Sequence, residues 1–274
     1  NTICLSGKAF SMPSIVYDPD TLNVTLGCST TLIDSLTIYN TGLSDLYYSI
    51  SLIDTGKSAV FDGVNDYANM GTWFNYQTFT IEMWVKPGAT QKTYADIIDN
   101  NHTGARSWVM QQNVGNTNQY FWGTNDGGIS AFFNLTANQW VHIAVTRNGS
   151  TRTNKVYINN TLFSTWIGTG NIPYDGTQYF RLARWGGGGR EWNGTMDEVR
   201  VWNYERTMAE IVSSNNKSLI GNETGLLAYL NFDNGTANDL SPNGKNGTFV
   251  NGATPNPPNA PVSPSWLSIS GTAD

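Results

Sequence analysis

Two acidic groups in this chain have a spacing that could support chemistry. Asp62-Gly-Val-Asn-Asp66 sets two carboxylates and an amide on a tight turn, and a Ca2+ ion takes roughly six to eight such hard oxygens. The same residue types are ordinary turn formers, and both readings stay open. The second group is Asp197-Glu198. Glycoside hydrolysis needs two carboxyls facing one cleft, roughly 5–9 Å apart. Consecutive strand residues point to opposite faces, so these two do not form such a pair. There are two histidines, His102 in a loop and His142 in a strand, and neither belongs to a Ser/His/Asp set or a metal-binding cluster. The expectation is a protein without catalytic activity.

A binding site has better support. Arg184-Trp-Gly-Gly-Gly-Gly-Arg190, followed by Trp192, places two arginines and two tryptophans around a run of four glycines. Sugar sites combine an aromatic platform with polar groups that bond the hydroxyls. Arg184, Trp185, Arg190 and Trp192 are therefore the candidate ligand-binding set, with Trp108, Trp122 and Trp166 as further aromatic candidates. The competing reading is a hairpin connection whose tryptophans lie in the core. A phosphate loop is dismissed, because Gly186 to Gly189 lacks the Lys-Ser/Thr and the strand-to-helix setting.

Composition narrows the class. Charged residues are 13% and aromatics 12%, with 28 Gly and ten Trp, a balance that favours strands and turns over helices or disorder. Net charge is −6 with no Lys/Arg cluster, so nothing is present to neutralise a phosphate backbone or an anionic membrane. No apolar run approaches the ~18 residues of a membrane span. Cys4 and Cys28 are the two cysteines, and a disulfide between them implies an oxidising compartment. Asn23, Asn101, Asn134, Asn148, Asn159, Asn193, Asn216, Asn222, Asn234 and Asn246 each head an Asn-x-Ser/Thr triplet, as export would allow. An extracellular or cell-surface location is expected.

Short strands recur along the chain. In 1–57 they fall at Thr2 to Leu5, Thr21 to Leu26, Leu32 to Tyr39 and Leu46 to Leu52. In 58–253 ten more are expected between Ser58 and Phe232, at the spacing of a two-sheet sandwich. The stretch Asn193 to Ile211 reads as a strand running into a short helix, with Thr207-Met-Ala-Glu210 in the form of a capping box.

Five ordered motifs then carry a resemblance. They are Ala59-Val-Phe-Asp-Gly-Val-Asn-Asp-Tyr67, Phe79-Thr-Ile-Glu-Met-Trp-Val-Lys-Pro87, Trp140-Val-His-Ile-Ala-Val-Thr-Arg-Asn-Gly149, Lys155-Val-Tyr-Ile-Asn159 and Gly194-Thr-Met-Asp-Glu-Val-Arg-Val-Trp-Asn203. Together they resemble the laminin-G-like, concanavalin A-like jelly roll of bacterial surface and secreted proteins. The resemblance implies binding to glycans or glycoproteins and often a structural Ca2+. Asp62, Asp197 and Asp66 would then be its ligands, since Asp197 lies in a strand that relatives place near the turn.

The two ends resemble a different unit. Leu36 to Ile50 and Ser265-Trp-Leu-Ser-Ile-Ser270 are similar to strands of immunoglobulin-like repeats in large bacterial surface proteins. The fold expected is all-β: a jelly-roll sandwich with one short helix over 58–253, inserted in or attached to a split immunoglobulin-like sandwich. Residues 254–274 would be a Pro-rich linker and a returning strand. Thr2 to Phe10 resembles a displaced closing strand, which gives an alternative role as a filament subunit joined to copies of itself by strand exchange.

Overall fold

The computed structural model describes residues 56–262 apart from 117 and 257, together with the backbone of 2–8, 15–18, 37–40 and 47–53. The chain divides into two units, Asn1–Thr55 and Gly56–Asp274. In the first, β1 (Thr2–Lys8) pairs antiparallel with β4 (Tyr47–Ile53), Leu5 opposite Ile50. A second ladder joins β2 (Ile15–Asp18) to β3 (Thr37–Asn40). The strand-exchange reading gives β1 to a neighbouring copy, whereas here it pairs within its own chain. The expected strand at Thr21 to Leu26, Cys28 and hence the Cys4–Cys28 bridge, Asn23, and the segment from Ser265 lie outside the described residues.

The second unit is a sandwich of two antiparallel sheets. Its strands are β5 (Ser58–Asp62), β6 (Tyr67–Asn69), β7 (Phe79–Pro87), β8 (Asp96–His102), β9 (Ala105–Gln112), β10 (Gln119–Thr124), β11 (Gly128–Ile129), β12 (Phe133–Asn134), β13 (Val141–Asn148) and β14 (Thr153–Ile158). They continue with β15 (Thr161–Ile167), β16 (Tyr179–Leu182), β17 (Asn193–Trp202), β18 (Leu226–Leu230), β19 (Thr248–Val250) and β20 (Thr254–Asn256). The first sheet runs β15-β14-β13-β7-β17-β5-β20, with β18 beside β17. The second runs β11-β10-β9-β8-β16-β6-β19, with β12 beside β10. Period-2 alternation sends Phe79, Ile81, Met83 and Val85 of β7 inward, against Trp108 and Met110 of β9 and Tyr120 and Trp122 of β10. Trp108 and Trp122 are therefore core rings, 5.2 Å apart, and not free sugar platforms.

The outer face of the first sheet is also closed. β17 carries a bulge between Asp197 and Arg200, with Glu198 at φ 52. The extra residue keeps Val199 and Val201 in the core while Arg200 and Glu198 stand on the outer side. There α1 (Met208–Ser214) covers them, started by the expected capping box of Thr207 and Glu210. Arg200 pairs with Glu198 at 2.5 Å and donates to the Ser214 carbonyl at 2.8 Å. Arg206 pairs with Glu82 and lies 4.2 Å over the Trp202 ring. Tyr229 completes the set by donating to Glu198 at 2.8 Å.

The stretch after 253 departs from the linker expectation in its described part. Thr254–Asn256 is an edge strand on β5, with Pro255 opposite Ala59, a position where the missing proline N–H costs little. Farther on, Ala260 N donates to Asp197 at 2.7 Å.

Removing one member of a buried ion pair leaves the other charge without a partner, at a cost of about 3–5 kcal/mol. Glu82→Leu is expected to lose stability on that scale in urea unfolding. Thr207→Ala, which removes only a cap, should lose about 1 kcal/mol.

Candidate functional site

The outer face of the second sheet is the one left partly open. Because Trp108, Met110, Tyr120 and Trp122 face inward, Ser107, Val109, Gln111, Phe121 and Gly123 face outward from β9 and β10. With Trp185 and Arg190 from the segment joining β16 to β17, they line a pocket of about 190 Å³. Phe121, Val109 and Ile129 are its apolar lining residues, and Arg106, Arg190, Asn101, Ser107, Thr124 and Asn125 its polar ones.

The Gly-rich segment is pinned from both flanks. Gly186 N donates to Asp99 at 2.8 Å. Arg181, opposite Asp99 in the ladder, donates to the carbonyls of Trp185 and Gly186 at 3.3 and 3.0 Å. The segment lies so close to β8 that a Cβ on Gly186 would sit 1.6 Å from the Asn101 carbonyl oxygen, so only glycine fits there. Gly187 likewise lets the chain lie against the Trp185 ring, 2.6 Å from where a Cβ would be.

These constraints sort the four expected ligand-binding residues. Trp185 is half-buried at the pocket, and its ring carries the Arg190 guanidinium at 4.4 Å. Tyr94 flanks the same guanidinium at 5.1 Å. Arg184 turns aside, stacking over Tyr67 at 4.6 Å and pairing with Glu191 at 3.3 Å. Trp192 is a core residue: it is fully buried and donates its Nε1–H to the Tyr120 hydroxyl at 3.2 Å. It follows β16 by a short loop and sits in β17's inward register, so proximity to Trp185 in sequence was misleading. Phe121, Gln111, Arg106 and Tyr94 were missed. Alternation on β9 and β10 could have put Phe121 and Gln111 outward, but nothing in the sequence brings Tyr94 to Arg190.

Beneath the pocket lie two buried carboxyls. Burial pushes the Asp99 carboxyl up to about 7, against the hydrogen bonds it accepts from Gly186 and Asn101. Asp96, which accepts from Gln111 at 2.7 Å, is pushed well above the usual carboxylate range by burial and then by the neighbouring Asp99 charge.

The expected calcium ligands do not assemble. Asp62 stands opposite Asn193 on the β5–β17 ladder, so Asp197 is four residues along, about 13 Å away at ~3.3 Å per residue. Asp62 instead accepts from Val64 N at 2.7 Å, an Asx turn, and Asp66 accepts from Asp62 N at 3.4 Å. Both Asp197 oxygens are taken, one by Glu198 N and one by Ala260 N. Asp197 therefore does not join Asp62 and Asp66 around one ion, and among the described residues no group of three potential metal ligands occurs.

Asn101 also differs from its expected role. It is buried, donating to Asp99 and accepting from Ser107 N, so its side chain is closed to glycosylation. Asn134, Asn159, Asn216, Asn222, Asn234 and Asn246 are exposed, while Asn148 and Asn193 are half-buried and hydrogen-bonded. His142 is buried, and desolvation with the nearby Arg200 and Arg206 charges lowers its imidazole to about 3. It is thus neutral beside Glu82 and unable to serve as a base exposed to solvent.

Three measurements follow from this geometry. Asp99 binds its proton more tightly folded than unfolded, so its stabilising contribution is complete below about 4 and lost as pH rises through about 7. Asp96 acts in the same direction. Melting temperature should be higher at pH 5 than at pH 8, and Asp99→Asn should narrow the gap. Trp192→Ala should destabilise by about 3–5 kcal/mol as a core truncation, whereas Trp185→Ala should leave the fold intact. EDTA should leave the melting curve unmoved.

Comparison with known proteins places this architecture. Among solved structures, a Bacteroides ovatus protein proposed to bind carbohydrate aligns with a TM-score of 0.62 and 19% identity, over 83% of this chain and 69% of that one. A heptameric SAP-like pentraxin from Limulus polyphemus aligns with a TM-score of 0.46 and 16% identity, over 58% of this chain and 82% of that one. Domain 4 of AbnA, a GH43 extracellular arabinanase from Geobacillus stearothermophilus solved with arabinotriose, aligns at 0.42 and 16% identity, over 57% of this chain and 75% of that one. Of these alignments, that with the Bacteroides ovatus protein speaks for the fold, and at 19% identity for the fold alone. No curated protein matches the chain by sequence. The family profile described as the concanavalin A-like lectin/glucanases superfamily matches residues 62–212, more than half of the chain. The chain belongs to that superfamily.

Proposed function

We propose that this protein is a non-catalytic, extracellular glycan-binding module. The observation that carries the reading is the outer-face pocket of the second sheet. Its lining mixes apolar side chains, Phe121, Val109 and Ile129, with amides, hydroxyls and guanidinium groups. That mixture suits a sugar ring, which has an apolar face and a polar rim. Its size, about 190 Å³, is below the ~300–1,000 Å³ of drug-sized sites and suits a group on the scale of one sugar unit.

The carboxylates argue against hydrolysis. Asp197 is held by two backbone N–H groups, and Glu198 by Arg200 and Tyr229, and both carboxyls are buried. Asp96 and Asp99 are buried and bonded into the loop anchor. Exposed sequons such as Asn134 and Asn234 are in keeping with a secreted protein. The first unit is read as its immunoglobulin-like carrier at a cell surface, where the pocket would serve adhesion.

A glycan array probed with the full chain tests this. We expect a restricted set of glycans to bind, and Phe121→Ala and Trp185→Ala each to abolish that signal with melting temperature unchanged. A uniform array for the parent protein overturns the reading.

A further inference from the structure

The charge around the pocket identifies a class of sugar. Of the eight arginines of the jelly roll, four have carboxylate partners: Arg147 with Asp126, Arg184 with Glu191, Arg200 with Glu198 and Arg206 with Glu82. Arg152 and Arg181 donate to main-chain carbonyls instead. Arg106 and Arg190, both lining the pocket, form no ion pair among the described residues. In a chain of net charge −6, two unpaired guanidiniums at one cavity are a local reversal of sign.

Arg190 is also held in place before any ligand arrives. Its guanidinium lies 4.4 Å from the Trp185 ring and 5.1 Å from the Tyr94 ring. Both Arg190 and Tyr94 adopt left-handed backbone, at φ 60 and 63, a conformation that costs energy and persists where the surroundings impose it. The planar donor edge of a guanidinium matches a planar carboxylate or a sulfate. The neighbouring acid is Asp96, which is fully buried; both Arg190 and Arg106 act on its charge, while burial favours its protonated form.

We infer that the pocket selects anionic sugars, with the carboxylate of a uronic acid or the ester of a sulfated sugar held by Arg190 and Arg106 and the ring resting on Phe121. The inference builds on glycan binding at this pocket. It adds that Trp185 acts through Arg190, as the surface that fixes the guanidinium.

The test is titration calorimetry on the full chain with matched pairs: oligogalacturonate against its neutral galactose counterpart, and a sulfated against an unsulfated galactan. Either acidic member should bind more tightly than its neutral partner, and the arm that responds distinguishes carboxylate from sulfate. Arg190→Gln should weaken acidic binding by roughly tenfold to a hundredfold, the scale of one charge-assisted hydrogen bond. Arg106→Gln, at an exposed side chain, should weaken it without altering the melting curve, and raised salt should act in the same direction. Neutral glycans that bind as well as acidic ones, and equally to both variants, would overturn the inference while leaving glycan binding intact. A protein that binds no glycan of either kind overturns both.

Discussion

The jelly roll depends on one inserted residue. At Glu198 the central strand β17 takes a left-handed step, and two residues there oppose one on β7. Without it, the apolar and polar halves of β17 would be out of phase, because a one-residue slip in a strand exchanges its two faces. With it, Met196 on one side of the bulge and Val199 and Val201 on the other all reach the same core. Glu198 and Arg200 go outward, and the helix comes down on them. A buried ion pair adds little net stability over an apolar equivalent, but it is strict about what it will pair with. Here it fixes where α1 sits and which outer face is closed.

The opposite face has no helix. Its cover is the segment from Ala183 to Arg190, held by Asp99 and Arg181 through main-chain atoms. Pinning through the backbone leaves the side chains of Trp185 and Arg190 free to face the pocket. The two outer faces thus divide the labour, one being filled by charge pairs and the other left as a shallow, polar-rimmed depression.

Much of this architecture was legible in the sequence. The alternation of Ile81, Met83 and Val85, the strand into a capped helix at Thr207, and the five ordered motifs all correspond to elements observed. Short strands such as β6 and β19 were not, since three residues carry no periodicity to read. The site was legible by half. Four glycines between Trp185 and Arg190 marked the loop, but Trp192 belongs to the interior and Asp197 to a clasp on the C-terminal stretch. Side-chain partnership across β5, β17 and residue 260 is set by register, which composition and spacing do not encode. Tyr94, separated from Arg190 by about half of the domain's sequence, could be found only in three dimensions.

The pairing of β20 with β5 sets how the jelly roll responds to force. Asn256 lies opposite Ser58, so the first and last strands of the domain run side by side, one strand spacing or ~4.8 Å apart. Tension applied through both ends opens this short ladder like a zipper, one rung after another, and the Ala260–Asp197 clasp lies on the outgoing path. The load goes first to these few bonds, while the strands that line the pocket belong to the other sheet.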